Sequence, residues 1–395
     1  MSRLPEYVGP AAFGIKMGVI VPGMDLVTEI AARVKQCVED GLVDDYDVLC
    51  ITESVVARAQ NNIVTIDQVV AEITKKLQIT PTSKLGVVFP IISRNRFSLI
   101  LKAIARAVPQ GKVVVQLSFP TDEVGNQVIP EDVLEALGKT YYDVITEADI
   151  AGKTLVHPVT KIDYVQLYRE VITNEGAQAE IFLANDPKAI IAYDCDAVII
   201  ADIHTREKTF AALKGEMSKV ITLVDICSNR ENVAWSEWGL LGSNMSAGEK
   251  LKLAPRNSDE FAMAVQARVK EITDKNVEVI VYGDGAYKDP STGIYELADP
   301  RPVFGSTPGF KGVLREGIKY KFLADLGYSQ GKTPAEIEQE LNKLKKAAYN
   351  QDDLYIEGTT PRPLADVIAS LADLVSGSAD AGTPLIVVKG FISPE

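Results

Sequence analysis

The sequence predicts an α+β protein of mixed α/β character, divided into two domains. Three observations predict it. Apolar runs of strand length stop at turn-forming or acidic residues, as in Asp47–Thr52, Leu85–Ile92, Ala197–Ala201 and Val279–Tyr282. Between them lie stretches with an apolar stripe at helical spacing, such as Leu26, Ile30, Val34 and Val38. A length of 395 residues is enough for two domains.

Residues 1–24 read as extended, and Leu26–Val38 as a helix with Asp25 at its N-cap. The strand Asp47–Thr52 runs into Glu53, Ser54 and, four residues on, Arg58. That order brings backbone N–H groups and a cation to phosphates without a glycine loop, or it is a simple strand-to-helix turn with a solvated arginine. Ile66–Leu77 reads as a helix, Leu85–Ile92 as a strand ending at Ser93-Arg94-Asn95-Arg96, and Phe97–Val108 as an apolar helix. Lys112–Leu117 is a strand, Ser118–Ile129 a loop, and Glu131–Leu137 and Tyr164–Ile172 are helices. His157 precedes a proline and is expected to have a structural or surface role.

Ala179–Leu183 and Ala197–Ala201 are strands, the second ending at Asp202-Ile203-His204-Thr205-Arg206. Lys219–Asp225 reads as a further strand that ends in an aspartate. Trp235 and Trp238 fit packing under a loop or a platform for a planar ring. Asp259–Ile272 is a helix and Val277–Tyr282 a strand. Asp299–Gly317 is a long loop, and Lys319–Leu326 and Thr333–Tyr349 are helices. The chain closes with a helix over Pro361–Ser376, a turn over Gly377–Gly382 and a strand over Pro384–Lys389.

A formal charge of -13 argues against partners that need clustered basic residues, namely nucleic acid and anionic membrane surfaces. No charged leader precedes a long apolar run, and no stretch has the length of a membrane helix, so a cytoplasmic protein is expected. Cys37, Cys50, Cys195 and Cys227 form no CxxC pair and fit a reducing compartment. With two histidines and neither GxxxxGK[ST] nor GxGxxG, histidine-based catalysis and the usual phosphate loops are disfavoured.

The acid-rich segment Val279–Pro300 stands out. Asp284 sits between two glycines after a buried strand, and Asp289, Glu296 and Asp299 follow. Carboxylates on turns after a strand either hold a hard cation beside a phosphate or serve as turn residues. Asp202 has the same strand-end setting.

Three segments, Met17–Leu26 (MGVIVPGMDL), Asp47–Gln60 (DVLCITESVVARAQ) and Leu371–Phe391 (LADLVSGSADAGTPLIVVKGF), together resemble the coenzyme F420-0:L-glutamate ligase family. The resemblance lies at the two ends of the chain and implies a γ-glutamyl ligase-like fold. It also implies an enzyme that joins the amino group of L-glutamate to a carboxylate through an acyl phosphate, using GTP or ATP and a divalent cation, Mg2+ or Mn2+. A folate-like acceptor, or a binding protein that has lost the metal chemistry, are the alternatives. The family's nucleotide contacts would fall on Met17, Gly18, Val19, Ile20, Glu53, Ser54 and Arg58, on Asn95, and on Ser376, Gly377, Ser378, Asp380 and Gly382.

Arg58 stands where the family has lysine, and with Asp284 it would serve catalysis. The metal would fall on Asp284 and Asp289, with Asp202 as the rival match. Two departures count against the metal. If Asn95 is the family's asparagine, the first metal aspartate is Ile92, and Ser378 replaces a glutamate. The resemblance further implies a homodimer. It also implies that residues 1–92 and 350–395 build one domain, with 93–349 an inserted second domain.

Overall fold

In the computed structural model, which describes residues 4–5, 7–283, 287–288, 295–296, 301–315, 319–345, 362–376 and 382–392, the apolar runs become the strands of two five-stranded sheets. The strands are, in chain order, β1 (Ala11–Ile15), β2 (Val48–Thr52), β3 (Ile63–Thr65), β4 (Lys84–Val88), β5 (Lys112–Leu117), β6 (Gln178–Leu183) and β7 (Ala197–Ile200). There follow β8 (Val220–Thr222), β9 (Asn244–Met245), β10 (Lys250–Lys252), β11 (Glu278–Tyr282), β12 (Tyr287–Lys288) and β13 (Tyr295–Glu296). The last are β14 (Val303–Ser306), β15 (Leu314–Arg315), β16 (Arg362–Pro363) and β17 (Leu385–Lys389).

The first half carries helices α1 (Leu26–Glu39), α2 (Glu53–Ala59), α3 (Ile66–Leu77), α4 (Ser98–Arg106), α5 (Glu131–Leu137), α6 (Glu147–Ile150) and α7 (Tyr164–Asn174). The second half carries α8 (Arg206–Leu213), α9 (Ser258–Thr273), α10 (Tyr320–Ser329), α11 (Pro334–Lys345) and α12 (Leu364–Ser376). Asp25 caps α1 by accepting from Thr28 N–H at 3.1 Å, and Thr65 and Gln68 form a reciprocal cap on α3.

One sheet has the order β6-β5-β4-β7-β8, and every neighbouring pair in it is parallel. The chain enters at β4, winds outward to β6, then returns to the other side of β4 for β7 and β8. The order therefore reverses between β4 and β7, and a crevice opens beyond the carboxyl ends of that pair. Strand alternation buries both faces. Leu85, Val87, Val113, Val115 and Ile199 pack with residues of α3, α4 and α7, whereas Val88, Val114, Val198 and Ile200 pack with Ile190 and Leu213 on the other side.

The second sheet, β1-β17-β2-β11-β14, joins the two chain ends to a strand from late in the sequence. β2 and β11 are parallel, while β17 is antiparallel to both β1 and β2. Leu49, Ile51, Val279, Val281 and Val387 face α1 and α9; Val48, Cys50, Ile280, Tyr282 and Ile386 face α12. Sheet membership does not follow positions 92 and 350: β4 lies in the parallel sheet, and β11 and β14 lie in the sheet of the chain ends.

Several expected elements differ. The strand expected over Leu85–Ile92 stops at Val88, and the helix expected over Pro361–Ser376 begins at Leu364, after β16. Asp299–Gly317 is not all loop, because β14 pairs antiparallel with β11, and Gly305 lets it lie against the first turn of α9. The strand expected to end in Asp225 stops at Thr222. Asp225 turns back to accept from Thr222 N–H and Oγ1 at 2.7 and 2.9 Å. Among the described residues, no helix is long and apolar enough to cross a membrane.

Candidate functional site

The strand directions of the mixed sheet send several chain segments to one edge. There β1, β2 and β11 end and β17 and β14 begin. Met17 N–H meets the Gly382 carbonyl at 3.3 Å, Thr52 N–H the Pro384 carbonyl at 3.0 Å, and Gly283 N–H the Pro302 carbonyl at 2.9 Å. The Tyr282 and Ser376 hydroxyls lie 2.8 Å apart, at the end of α12. Of the residues expected to contact a nucleotide, Met17, Glu53, Ser54, Ser376 and Gly382 thus share one edge. Gly18, Val19 and Ile20 continue from it, and Val19 is largely exposed.

Glu53 opens α2 directly after β2 and is buried. Lys252, on β10, donates to both of its carboxylate oxygens, at 2.8 and 3.0 Å, and to Ser54 Oγ at 3.1 Å. Arg58 is exposed and lies four residues beyond Ser54, on the same face of α2. The loop after β1 reaches this helix end, where Gly23 N–H donates to the Ala59 carbonyl at 2.9 Å. Asn95 is exposed, and its carbonyl accepts from Met245 N–H on β9 at 2.9 Å. β9 pairs with β10, which places Asn95 one short strand away from Lys252.

The parallel sheet contributes a second edge. At its order reversal the loop after β5 crosses between β4 and β7. Asp122 accepts from Ile92 N–H beyond β4 at 2.9 Å, and from Val124 and Asn126 within the loop. The adjacent Glu123 accepts from the N–H groups of Ile203, His204 and Thr205 beyond β7, the last two at 3.1 and 3.4 Å.

Asp202 lies beneath, 1% exposed. Its Oδ2 accepts from Thr205 and Thr209 hydroxyls at 2.7 and 2.8 Å, and its Oδ1 has no partner among the described residues. Burial, with a smaller push from the Glu123 charge, raises its carboxyl to about 6. Burial also raises Asp122 to about 6.

Trp238 stands between the two edges. The Arg206 guanidinium lies 5.9 Å from its ring centroid, and Phe304 on β14 meets it edge-on at 6.2 Å. Trp235 is buried, with Arg230 5.1 Å over its ring. Both tryptophans therefore pack under the loop, and Trp238 also ties the two sheets together.

A divalent cation is tested by its ligand set. Among the described residues, no group of three or more His, Cys, Asp or Glu side chains is placed to hold one. Asp202 offers one unpaired oxygen, but two threonine hydroxyls take the other, and the neighbouring Glu123 is turned onto backbone N–H groups. The expected role of Asp202 as a metal ligand is thus not met by its surroundings, since a hard cation needs several oxygen ligands. Ile92 is buried, and its N–H is held by Asp122. Asp284, Asp289, Gly377, Ser378 and Asp380 lie outside the described residues.

His157 is structural: it is buried, and its Nδ1 accepts from Val159 and Thr160 N–H at 3.3 and 3.1 Å. The four cysteines are free and buried, and burial pushes the Cys195 and Cys227 thiols up to about 12, away from nucleophilic use. Lys252 and Glu123 escaped the sequence reading. Lys252 sits in an alternating Lys-Leu-Lys run that reads as a solvated face, and Glu123 in a run of turn residues.

A family model described as F420-0:Gamma-glutamyl ligase matches residues 14–390. The match runs through the middle of the chain as well as the ends where the resemblance was read. No curated protein matches the chain.

Proposed function

The chain belongs to the F420-0:gamma-glutamyl ligase family, and on that premise we propose a nucleotide-dependent amide ligase that adds L-glutamate to an acceptor carboxylate. The observation that carries the reading is the gathering of Met17, Glu53–Ser54, Ser376 and Gly382 at one sheet edge beside Lys252.

In this reading GTP or ATP gives its terminal phosphoryl group to the acceptor carboxylate, leaving the nucleoside diphosphate and an acyl phosphate. The glutamate amine then attacks the acyl carbon, phosphate departs and the amine loses a proton. No protein nucleophile is needed, in keeping with raised thiols and a structural His157.

Lys252 holds the Glu53 carboxylate and donates to the Ser54 hydroxyl at 3.1 Å. Arg58, on the same helix face, supplies a charge for phosphate oxygens. A divalent cation would neutralise phosphate charge; we assign it, as Mg2+ or Mn2+, to Asp284 and Asp289. The proposal includes a cytoplasmic homodimer. A folate-like acceptor is admitted within the same chemistry. Ile92, buried where the family's metal aspartate would fall, favours a second reading as a ligand-binding protein that keeps the scaffold without the metal chemistry.

The test is a thermal melt with GTP or ATP, with and without Mn2+ or Mg2+, joined to phosphate release in the presence of L-glutamate and a lactyl-phosphodiester or pterin carboxylate acceptor. The ligase reading expects a nucleotide-dependent rise in melting temperature and glutamate-dependent phosphate release. A melting shift without release supports the binding protein, and neither signal overturns both.

A further inference from the structure

A carboxylate already occupies the crevice of the parallel sheet. Glu123 places its side chain on three successive backbone N–H groups, those of Ile203, His204 and Thr205, which lead into α8. Such N–H groups, at a helix start, favour an oxyanion. Beneath that seat lies an unsatisfied acceptor: Asp202 is 1% exposed and its Oδ1 has no partner among the described residues. Thr205 Oγ1 fixes the two groups side by side, 2.7 Å from Asp202 Oδ2 and 3.4 Å from Glu123 Oε2.

Two carboxylates this close repel, and a buried acceptor without a donor costs free energy. A positive donor adjacent to the incoming carboxylate relieves both. One common molecule carries a carboxylate and an ammonium on the same carbon: an amino acid.

We propose that the residues beyond β7 form an amino-acid subsite, in which the Ile203, His204 and Thr205 N–H groups bind the α-carboxylate and Asp202 Oδ1 binds the α-ammonium. Glu123 holds the carboxylate position closed until the amino acid displaces it. The group that keeps the seat is itself a carboxylate, so the seat accepts one. The proposal deepens the ligase reading by placing its amine substrate, and rests on that reading only for choosing L-glutamate as the probe. Trp238, which touches Arg206 from this edge and Phe304 from the other, lies between the amine and the nucleotide edge.

Glu123→Ala empties the seat without dismantling the loop, because Asp122 still holds Ile92, Val124 and Asn126. Calorimetric titration of the full chain uses L-glutamate and, as the analogue lacking the ammonium, glutarate. L-glutamate is expected to bind Glu123→Ala at least tenfold more tightly than wild type, and glutarate at least tenfold more weakly than L-glutamate. Adding Asp202→Asn to Glu123→Ala is expected to cut L-glutamate affinity at least tenfold, with an unchanged circular dichroism spectrum. Should Glu123→Ala fail to fold, Glu123→Gln, which keeps the shape and drops the charge, is expected to give the same ordering.

The proposal is overturned if the Glu123 variants bind L-glutamate no better than wild type. It is also overturned if glutarate binds as well, or if Asp202→Asn changes nothing. These titrations contain no nucleotide or acceptor. L-glutamate binding without nucleotide-dependent phosphate release would therefore sink the ligase reading and leave the subsite. Phosphate release with none of the binding effects would do the reverse.

Discussion

Lys252 on β10 and Glu53 at the start of α2 form a buried ion pair between residues 199 positions apart in sequence, with side chains 10% and 9% exposed. Breaking such a pair from one side leaves an uncompensated charge in the interior, typically at about 3–5 kcal/mol. Lys252→Met is expected to lower stability by that amount in urea denaturation. Glu53→Gln combined with Lys252→Met removes both charges and is expected to recover most of the loss. If the double variant is as unstable as the single one, the pair is not the source of the effect.

Asp202 predicts a pH dependence of stability. Its folded carboxyl is raised from the ordinary 3.8 to about 6, chiefly by burial. The folded form therefore holds the proton more tightly than the unfolded chain does. The resulting stabilisation is full below about pH 4 and is lost as pH rises through about 6; two units correspond to about 3 kcal/mol. Asp202→Asn keeps an acceptor for Thr205 and Thr209 and removes the charge. It is expected to be about 1–3 kcal/mol more stable than wild type at pH 8 and equal to it at pH 4. Asp122 titrates in the same window, so the informative quantity is the difference between variant and wild type at each pH. A constant difference across this range would refute the assignment.

Asn62 predicts a loss of a different kind. It is wholly buried, donates from Nδ2 to the carbonyls of Trp235 and Ala254 at 2.8 and 2.7 Å, and accepts on Oδ1 from Trp235 N–H and Arg256 at 3.0 and 2.9 Å. Asn62→Ala strands several of these groups without water. Each unsatisfied group costs about 1–3 kcal/mol, so a loss of about 3 kcal/mol or more is expected in urea denaturation. Because the Trp235 loop hangs on these bonds, tryptophan fluorescence is expected to shift to the red before global unfolding.

What the sequence made legible follows from period and composition. The unbroken apolar runs Leu85–Val88 and Val48–Ile51 marked strands buried on both faces, and the stripe through Leu26, Ile30 and Val34 marked α1 with its Asp25 cap. Strand neighbours were not legible, because the place of β4 beside β7 depends on where long crossovers return. β14 was hidden because Gly305 and the nearby prolines read as loop, although the glycine is there for close approach. Met17, Glu53, Ser54 and Gly382, which the fold brings to one edge, were singled out by the resemblance, with the strand-to-helix spacing adding to it for Glu53 and Ser54. Lys252 and Glu123 carry no local signal: each acquires its partner only when distant strand ends are brought together.

Gly305 gives the sharpest test of that hidden strand. A Cβ at this position would stand 2.3 Å from the Ser258 carbonyl carbon and 2.6 Å from Asp259 N. These are backbone atoms in the first turn of α9, so no side-chain rotation relieves the clash. Moving the helix would also strain the bond from Ser306 N–H to Asp259 Oδ1, now 2.8 Å. Overpacking costs about 1–3 kcal/mol, and a fixed backbone neighbour puts Gly305→Ala at the upper end of that range or beyond. Gly215 is the control, since its Cβ would meet nothing within 4 Å. There alanine is expected to be neutral or to stabilise by about 0.4–1 kcal/mol, through loss of freedom in the unfolded chain. Parallel urea titrations decide the matter. Equal effects at the two sites would mean that β14 does not lie against α9 as described.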